Sequence, residues 1–241
     1  MSTISSPSSP ADRALRALCG GAVHLPGEEG YVAACAQVTG GAPPLAPAAV
    51  MYPANETEVA ETLLHLGRAG LRVLVQRTNL GPMPVDDLGG VVLLRTSGLG
   101  GVSLDEDTGD IRARAGALWS DVVSLAAAHD LPVDPPHELA RGVVGGSVLP
   151  GSSGLPAARV VAARAVLADG GILSVLDRSH RLLTGLRAGL LPAAVVTELT
   201  LASAAGLPDE LRSPERAALR RAVRDELDPH GIFVLPPVPA D

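Results

Sequence analysis

The sharpest periodicity in the chain lies in "NETEVAETLLHLGRAG", residues 55–70, where apolar positions recur at helical spacing. Asn55 stands at the start as an N-cap, Glu58 follows three residues later as in a capping box, and Gly70 offers a stop. "LRVLV" (71–75) and "GGVVLLR" (89–95) are short apolar runs of the kind that form buried strands. "GVSLDEDTGDIRARAG" (101–116) reads as a hairpin: a short strand, an acidic turn ending in Gly109, then the alternation "IRARA". "ALWSDVVSLAAAHD" (117–130) predicts a helix with Leu118, Val122, Leu125 and Ala126 on one face. "VVAARAVLADGGILSVL" (160–176) predicts a second hairpin, turning on Asp169, Gly170 and Gly171, and "AAVVTELTLA" (193–202) a further strand.

Elsewhere the signals are weaker. Short helices are expected at "RALRAL", near "YVAACAQV" and near 179–187, with Gly/Pro/Ala punctuation over 40–49. A final helix has Ser213 as N-cap and Pro214 at its first position, stops at Asp228-Pro229, and leads into a Pro-rich tail. The chain is expected to divide into a disordered Ser/Pro-rich tail (1–12), a main domain (13–205) with subdomains of about 13–90 and 91–205, and the C-terminal helix and tail (206–241). Helices and hairpins in this order make an α+β fold with small mixed sheets and flanking helices, not a regular βα alternation.

Composition narrows the function. Aromatic residues are 2% of the chain and the net charge is −7, so a nucleic-acid partner, which needs a basic face or a stacking platform, is not expected. The two cysteines, Cys19 and Cys35, are too few for a disulfide scaffold, and with His24 they match no zinc spacing. No metal is expected. "MSTISSPSSPADR" lacks an apolar signal core and no run of eighteen apolar residues occurs later, so the expectation is a cytoplasmic protein without a membrane partner.

Candidate chemistry is sparse. No G-x-S-x-G, Walker loop or H-E-x-x-H occurs. His129 ends a helix, where a cation suits the dipole. His180 and His230 read as surface and turn residues. His137, beside Glu138 and just before a glycine-rich stretch, is the one catalytic candidate, for ligand contact or proton transfer. Trp119 reads as a packing residue. Asp105, Glu106, Asp107 and Asp110 fit a solvated hairpin turn, as do Asp86 and Asp87, and not a calcium loop. The glycine-rich stretch itself, "RGVVGGSVLPGSSGLP" (141–156), holds five glycines and lets main-chain N–H groups approach an anion, or serves as a plain connection.

The order "GGAVHLPGEEGY", "MYPANETEVAETLLHLGRAGLRVLV", "GGVVLLRTSGLGGVSLDEDTGDIRARAGALWSDVVSLAAAHDLPV", "GVVGGSVLPGSSG", "AVLADGGILSV" and "VVTELTLA" resembles the FAD-binding domain of the vanillyl-alcohol oxidase family, most closely its berberine-bridge-enzyme branch. The tail "ERAALRRAVRDELDPHGIF" is similar to the C-terminal helix and turn of those enzymes. The resemblance implies a PCMH-type fold of two α+β subdomains with FAD between them. It implies main-chain contacts from Arg77, Thr78, Asn79 and Gly81 in a first loop, from Gly142, Gly145, Gly146 and Ser147 in a second, and from Val195 and Val196 in the last strand.

Two departures from the family shape the expectation. Leu80 stands where many members carry a histidine bonded to the flavin, so the FAD is expected to be noncovalent. Only "LASAAGLPDELRS" separates the last strand from the final helix, where the family inserts a substrate-binding domain. The expected function is an FAD-dependent oxidoreductase acting on a small organic molecule, its flavin face covered by a homodimer mate or partner chain. The alternatives are a pseudoenzyme that has lost FAD and acts as an assembly partner, and a cofactor-free enzyme reusing the cleft.

Overall fold

The computed structural model describes residues 10–20, 22–35, 46–76, 88–131, 133, 144, 160–176, 194–202, 228 and 231–233. The first of its two sheets is built around β4 (Val91–Arg95), every residue of which is buried. Alternate side chains of β4 serve opposite faces: Val92 and Leu94 enter one core, Val91 and Leu93 another. That is the pattern expected for a parallel strand covered on both sides. β2 (Ala49–Met51) and β3 (Arg72–Gln76) pair parallel with β4 on its two sides, and β1 (Val23–His24) adds antiparallel to β2.

α3 (Glu56–Arg68) connects β2 to β3 and covers one face with Val59, Leu63 and Leu66. Its start is the capping box expected from the residue types: the Asn55 side chain accepts from the Glu58 N–H at 2.9 Å. The Glu58 carboxylate accepts in return from the Ala54 N–H and from the Asn55 side-chain amide. α1 (Pro10–Leu18) sends Leu15 into the same core, while α2 (Tyr31–Cys35) covers the other face with Tyr31, Ala34 and Cys35.

The second sheet is antiparallel, in the order β5 (Val102–Leu104), β6 (Ile111–Arg114), β9 (Ala194–Leu201), β7 (Val160–Leu167), β8 (Ile172–Val175). Both predicted hairpins form. The Asp105 carboxylate accepts from the Asp107 and Thr108 N–H groups in the first turn, and Asp169 accepts from Gly171 N–H in the second. One face of this sheet packs on α4 (Trp119–Ala128) through Trp119, Val122 and Ala126. The other face meets α3: Val166, Ala168 and Val195 join the core formed by Val59, Ala60 and Leu63. Both sheets therefore share α3 as a common layer.

Four expectations change. α1 begins at Pro10, inside the stretch expected to be a disordered tail, because proline's fixed φ suits the first turn of a helix. β4 is central to the first sheet, so the division between the sheets falls after Arg95, a few residues beyond the approximate boundary near 90. β2, which was not expected, begins at Ala49, the last residue of the expected punctuation; three buried residues are too short a run to register as a pattern. On α4, Leu118 is 42% exposed at the N-cap and Trp119 takes the buried position.

The C-terminal turn returns to the first sheet. Phe233 bridges parallel to Val73, and the Val73 N–H donates to Ile232 O at 2.7 Å. No helix among the described residues is long and apolar enough to cross a membrane. The expected helices near 179–187 and from Pro214, residues 1–9 and the Pro-rich tail lie outside the described residues.

Candidate functional site

Parallel strands β2, β4 and β3 end together at Met51, Arg95 and Gln76. Ligands bind beyond such carboxyl ends in open sheets because connecting loops diverge there. Here the edge is also where the second subdomain attaches. Residues Thr96–Gly98 form a single 3₁₀ turn after β4, and Leu99 N–H donates to Thr96 O at 2.9 Å. Gly116, just past β6, lies so close beneath this turn that a Cβ on it would stand 2.2 Å from Thr96 O and 2.9 Å from Ser97 Cα. A Cβ on Gly98 would likewise stand 2.5 Å from Pro53 O. Three backbone segments are thus pressed together with no side chain between them.

Further segments are tied to the same place. The Ala115 N–H donates to Thr197 O of β9 at 2.8 Å, and Ala117 O accepts from the Val144 N–H at 2.8 Å. Val144, fully buried and the described residue of the glycine-rich stretch 141–156, is therefore tethered one residue from Gly116. The first loop starts directly after Gln76, the partner of Arg95 across the ladder. β9 runs past the end of β6, which pairs only with Glu198–Leu201. Val195 and Val196 pair with Val166 and Ala165 of β7, and no described strand lies along their other edge.

The junction carries charge and an unmet hydrogen bond. Arg95 is 1% exposed, and its Nη2 donates to Ala34 O at 3.1 Å. Burial lowers its pKa, against the opposing influence of Tyr52 and Cys35. A cation in so dry a place attracts anions more strongly than one in water. The Thr96 hydroxyl is fully buried and has no hydrogen-bond partner among the described residues. Burial pushes the Cys35 thiol up, outweighing the Tyr31 hydrogen bond and the Arg95 charge, so Cys35 is a protonated core residue and not a thiolate nucleophile. Burial likewise raises Tyr31 above the ordinary phenol range, and its O–H donates to Pro47 O at 2.6 Å.

Among the predicted cofactor contacts, Val195 and Val196 are described and border this junction. Arg77, Thr78, Asn79, Gly81, Gly142, Gly145, Gly146, Ser147 and the catalytic candidate His137 lie outside the described residues. Trp119 is a fully buried core residue, and His129 caps the end of α4 in solvent. Sequence reasoning passed over Arg95, Thr96, Gly98 and Gly116. The available signal was the arginine ending an apolar strand and the glycines shortly after it.

A buried cation, a buried hydroxyl without a partner among the described residues and the stretch of β9 that runs past the end of β6, all beside the origins of two loops, fit a diphosphate-bearing dinucleotide. The sequence profile described as FAD binding domain matches residues 47–176, from the approach to β2 through β8. The chain belongs to the FAD binding domain family. Its PCMH-type α+β fold is shared with solved structures at low sequence identity. BBE-like 1 of Physcomitrella patens superposes with a TM-score of 0.65 at 20% identity, covering 80% of this chain and 44% of that one. 6-hydroxy-D-nicotine oxidase of Arthrobacter nicotinovorans gives 0.64 at 21%, covering 76% and 42%. Berberine bridge enzyme of Eschscholzia californica gives 0.55 at 17%, covering 65% and 34%. The chain spans less than half the length of these proteins. No curated protein sequence matches it.

Proposed function

We propose that this FAD binding domain holds FAD without a covalent link and forms the flavin half of an oxidoreductase for a small organic substrate. The observation that carries this reading is the convergence at the subdomain junction of the Val144 tether, the Thr96 turn and the Val195–Val196 stretch of β9 beyond its pairing with β6. On this reading Arg77, Thr78, Asn79 and Gly81, with Gly142, Gly145, Gly146 and Ser147, present N–H groups to the diphosphate. Val195 and Val196 would add main-chain contacts to the cofactor, and Arg95 would add positive charge nearby. FAD held there would supply hydride-acceptor chemistry. The chain's own residues bind and orient it, and a second copy or a partner chain excludes water from the exposed face. Leu80 offers no nucleophilic atom for attachment to the ring.

Visible absorbance of the purified protein and titration with FAD test the reading. A flavin band should survive gel filtration and pass entirely to the supernatant on acid precipitation. FAD at a hundred times its dissociation constant should add about 2.7 kcal/mol of stability. In a domain of this size that raises the thermal midpoint by roughly 5–10 °C. Colourless protein that FAD does not stabilise would transfer the case to the assembly partner or the cofactor-free enzyme.

A further inference from the structure

Glu56, in the first turn of α3, reaches across from the first subdomain to the second. Its Oε2 accepts from Arg164 Nη2 at 2.5 Å, and its Oε1 from Arg164 Nε at 3.3 Å and from Thr197 Oγ1 at 2.5 Å. The Glu56 side chain is 18% exposed and that of Arg164 43%. Burial alone would raise the carboxyl. The bonds from Arg164 and Thr197, with the charges of Arg164 and Arg114, outweigh that and hold it below the ordinary glutamate value. Glu198 faces Arg164 as a second carboxylate.

Thr197 occupies a particular place in β9. The ladder with β7 matches Arg164 to Glu198 and then Ala165 to Val196, so Thr197 is the extra residue of a bulge. Bulges bend a strand and re-aim the side chains beside them. This one is held twice, by Glu56 at its hydroxyl and by the Ala115 N–H at its carbonyl. The adjoining residues are Val196 and Val195, buried where β9 runs past the end of β6 at the junction.

We propose that Glu56 is a positioning residue for the cofactor: by gripping the Thr197 bulge and Arg164 together, it sets the Val195–Val196 edge against the junction and couples FAD affinity to the docking of the two subdomains. The proposal rests on the flavin reading above. Glu56 touches no reacting atom; it acts through β9.

The test uses the full chain with Glu56→Gln, Thr197→Val and Thr197→Ser. The readouts are FAD affinity, from quenching of flavin fluorescence, and amide hydrogen exchange over residues 194–198 without FAD. Glu56→Gln and Thr197→Val should each weaken FAD about tenfold. Both should speed exchange at 194–198 while leaving β2, β3 and β4 as in the wild type. Thr197→Ser, which keeps the hydroxyl, should behave as wild type. Wild-type affinity and exchange in Glu56→Gln and Thr197→Val would overturn the proposal, as would a loss shared by Thr197→Ser or faster exchange through both sheets. If the wild-type chain binds no FAD, the flavin reading falls. Exchange then decides alone whether Glu56 positions this edge: local acceleration upholds the clasp, and unchanged exchange overturns it.

Discussion

Gly170 meets two demands at one position. Its φ of +78° closes the β7–β8 turn, a conformation that costs a side chain energy. A Cβ there would also stand 2.6 Å from Leu64 Cγ and 3.1 Å from Ala60 O on α3. Gly170→Ala should therefore destabilise the domain by about 1–3 kcal/mol, seen as a lower urea midpoint with an unchanged slope. Gly67, inside the same helix α3, has nothing within 4 Å of a built Cβ, and Gly67→Ala should raise the midpoint slightly. The turn at Asp169–Gly171 is legible from its residue types. That α3 would lie against this turn depends on a contact about a hundred residues away, for which local pattern holds no signal. The same applies to Glu56, legible as a first-turn acid of a helix but not as a partner of Arg164.

At the scale of elements, the strongest local signals gave the right structures. The capped helix α3, the buried run of β4 and both hairpins arise from residue chemistry along a few turns of chain. The weaker elements depend on neighbours. Three residues of β2 form a strand because β4 offers a ladder partner, and Trp119 displaces Leu118 from the core because the N-cap of α4 points outward. The C-terminal turn shows the same dependence with a measurable consequence. The Asp228 carboxylate, 5% exposed, accepts from the Ile232 and Phe233 N–H groups at 2.9 and 3.1 Å. It fixes the turn that lays Phe233 beside β3. Asp228→Ala leaves those buried donors without an acceptor and should cost about 1–3 kcal/mol, with increased exchange at the Val73 amide that pairs with Ile232.

For the whole molecule, the relation between the two sheets is what makes a site. α3 is shared by both, and the Glu56–Arg164 pair crosses between them. Because the Glu56 carboxyl lies below its ordinary value in the folded chain, the unfolded chain binds more protons in the window just under that value. The contribution is complete above about pH 4.5, the ordinary glutamate value, and is lost as pH falls through the lower, folded value. Unfolding in urea across pH 3–6 should show this decline, and Glu56→Gln should flatten it. Glu28 and Asp105 shift in the same direction, so part of the slope should remain in the variant.

The sequence by itself determined the elements with strong local chemistry, the α+β class and, through the order of its segments, the FAD binding domain family. Capping, turn formation and strand burial act over a few residues, so their residue types suffice. The tertiary structure alone decided the sheet order, the division after Arg95, the three-way backbone contact at Gly98 and Gly116, and the bulge held by Glu56. Each of these depends on which distant segments meet, and in the closest of them the contact is made by backbone atoms, which every residue carries and no residue type announces.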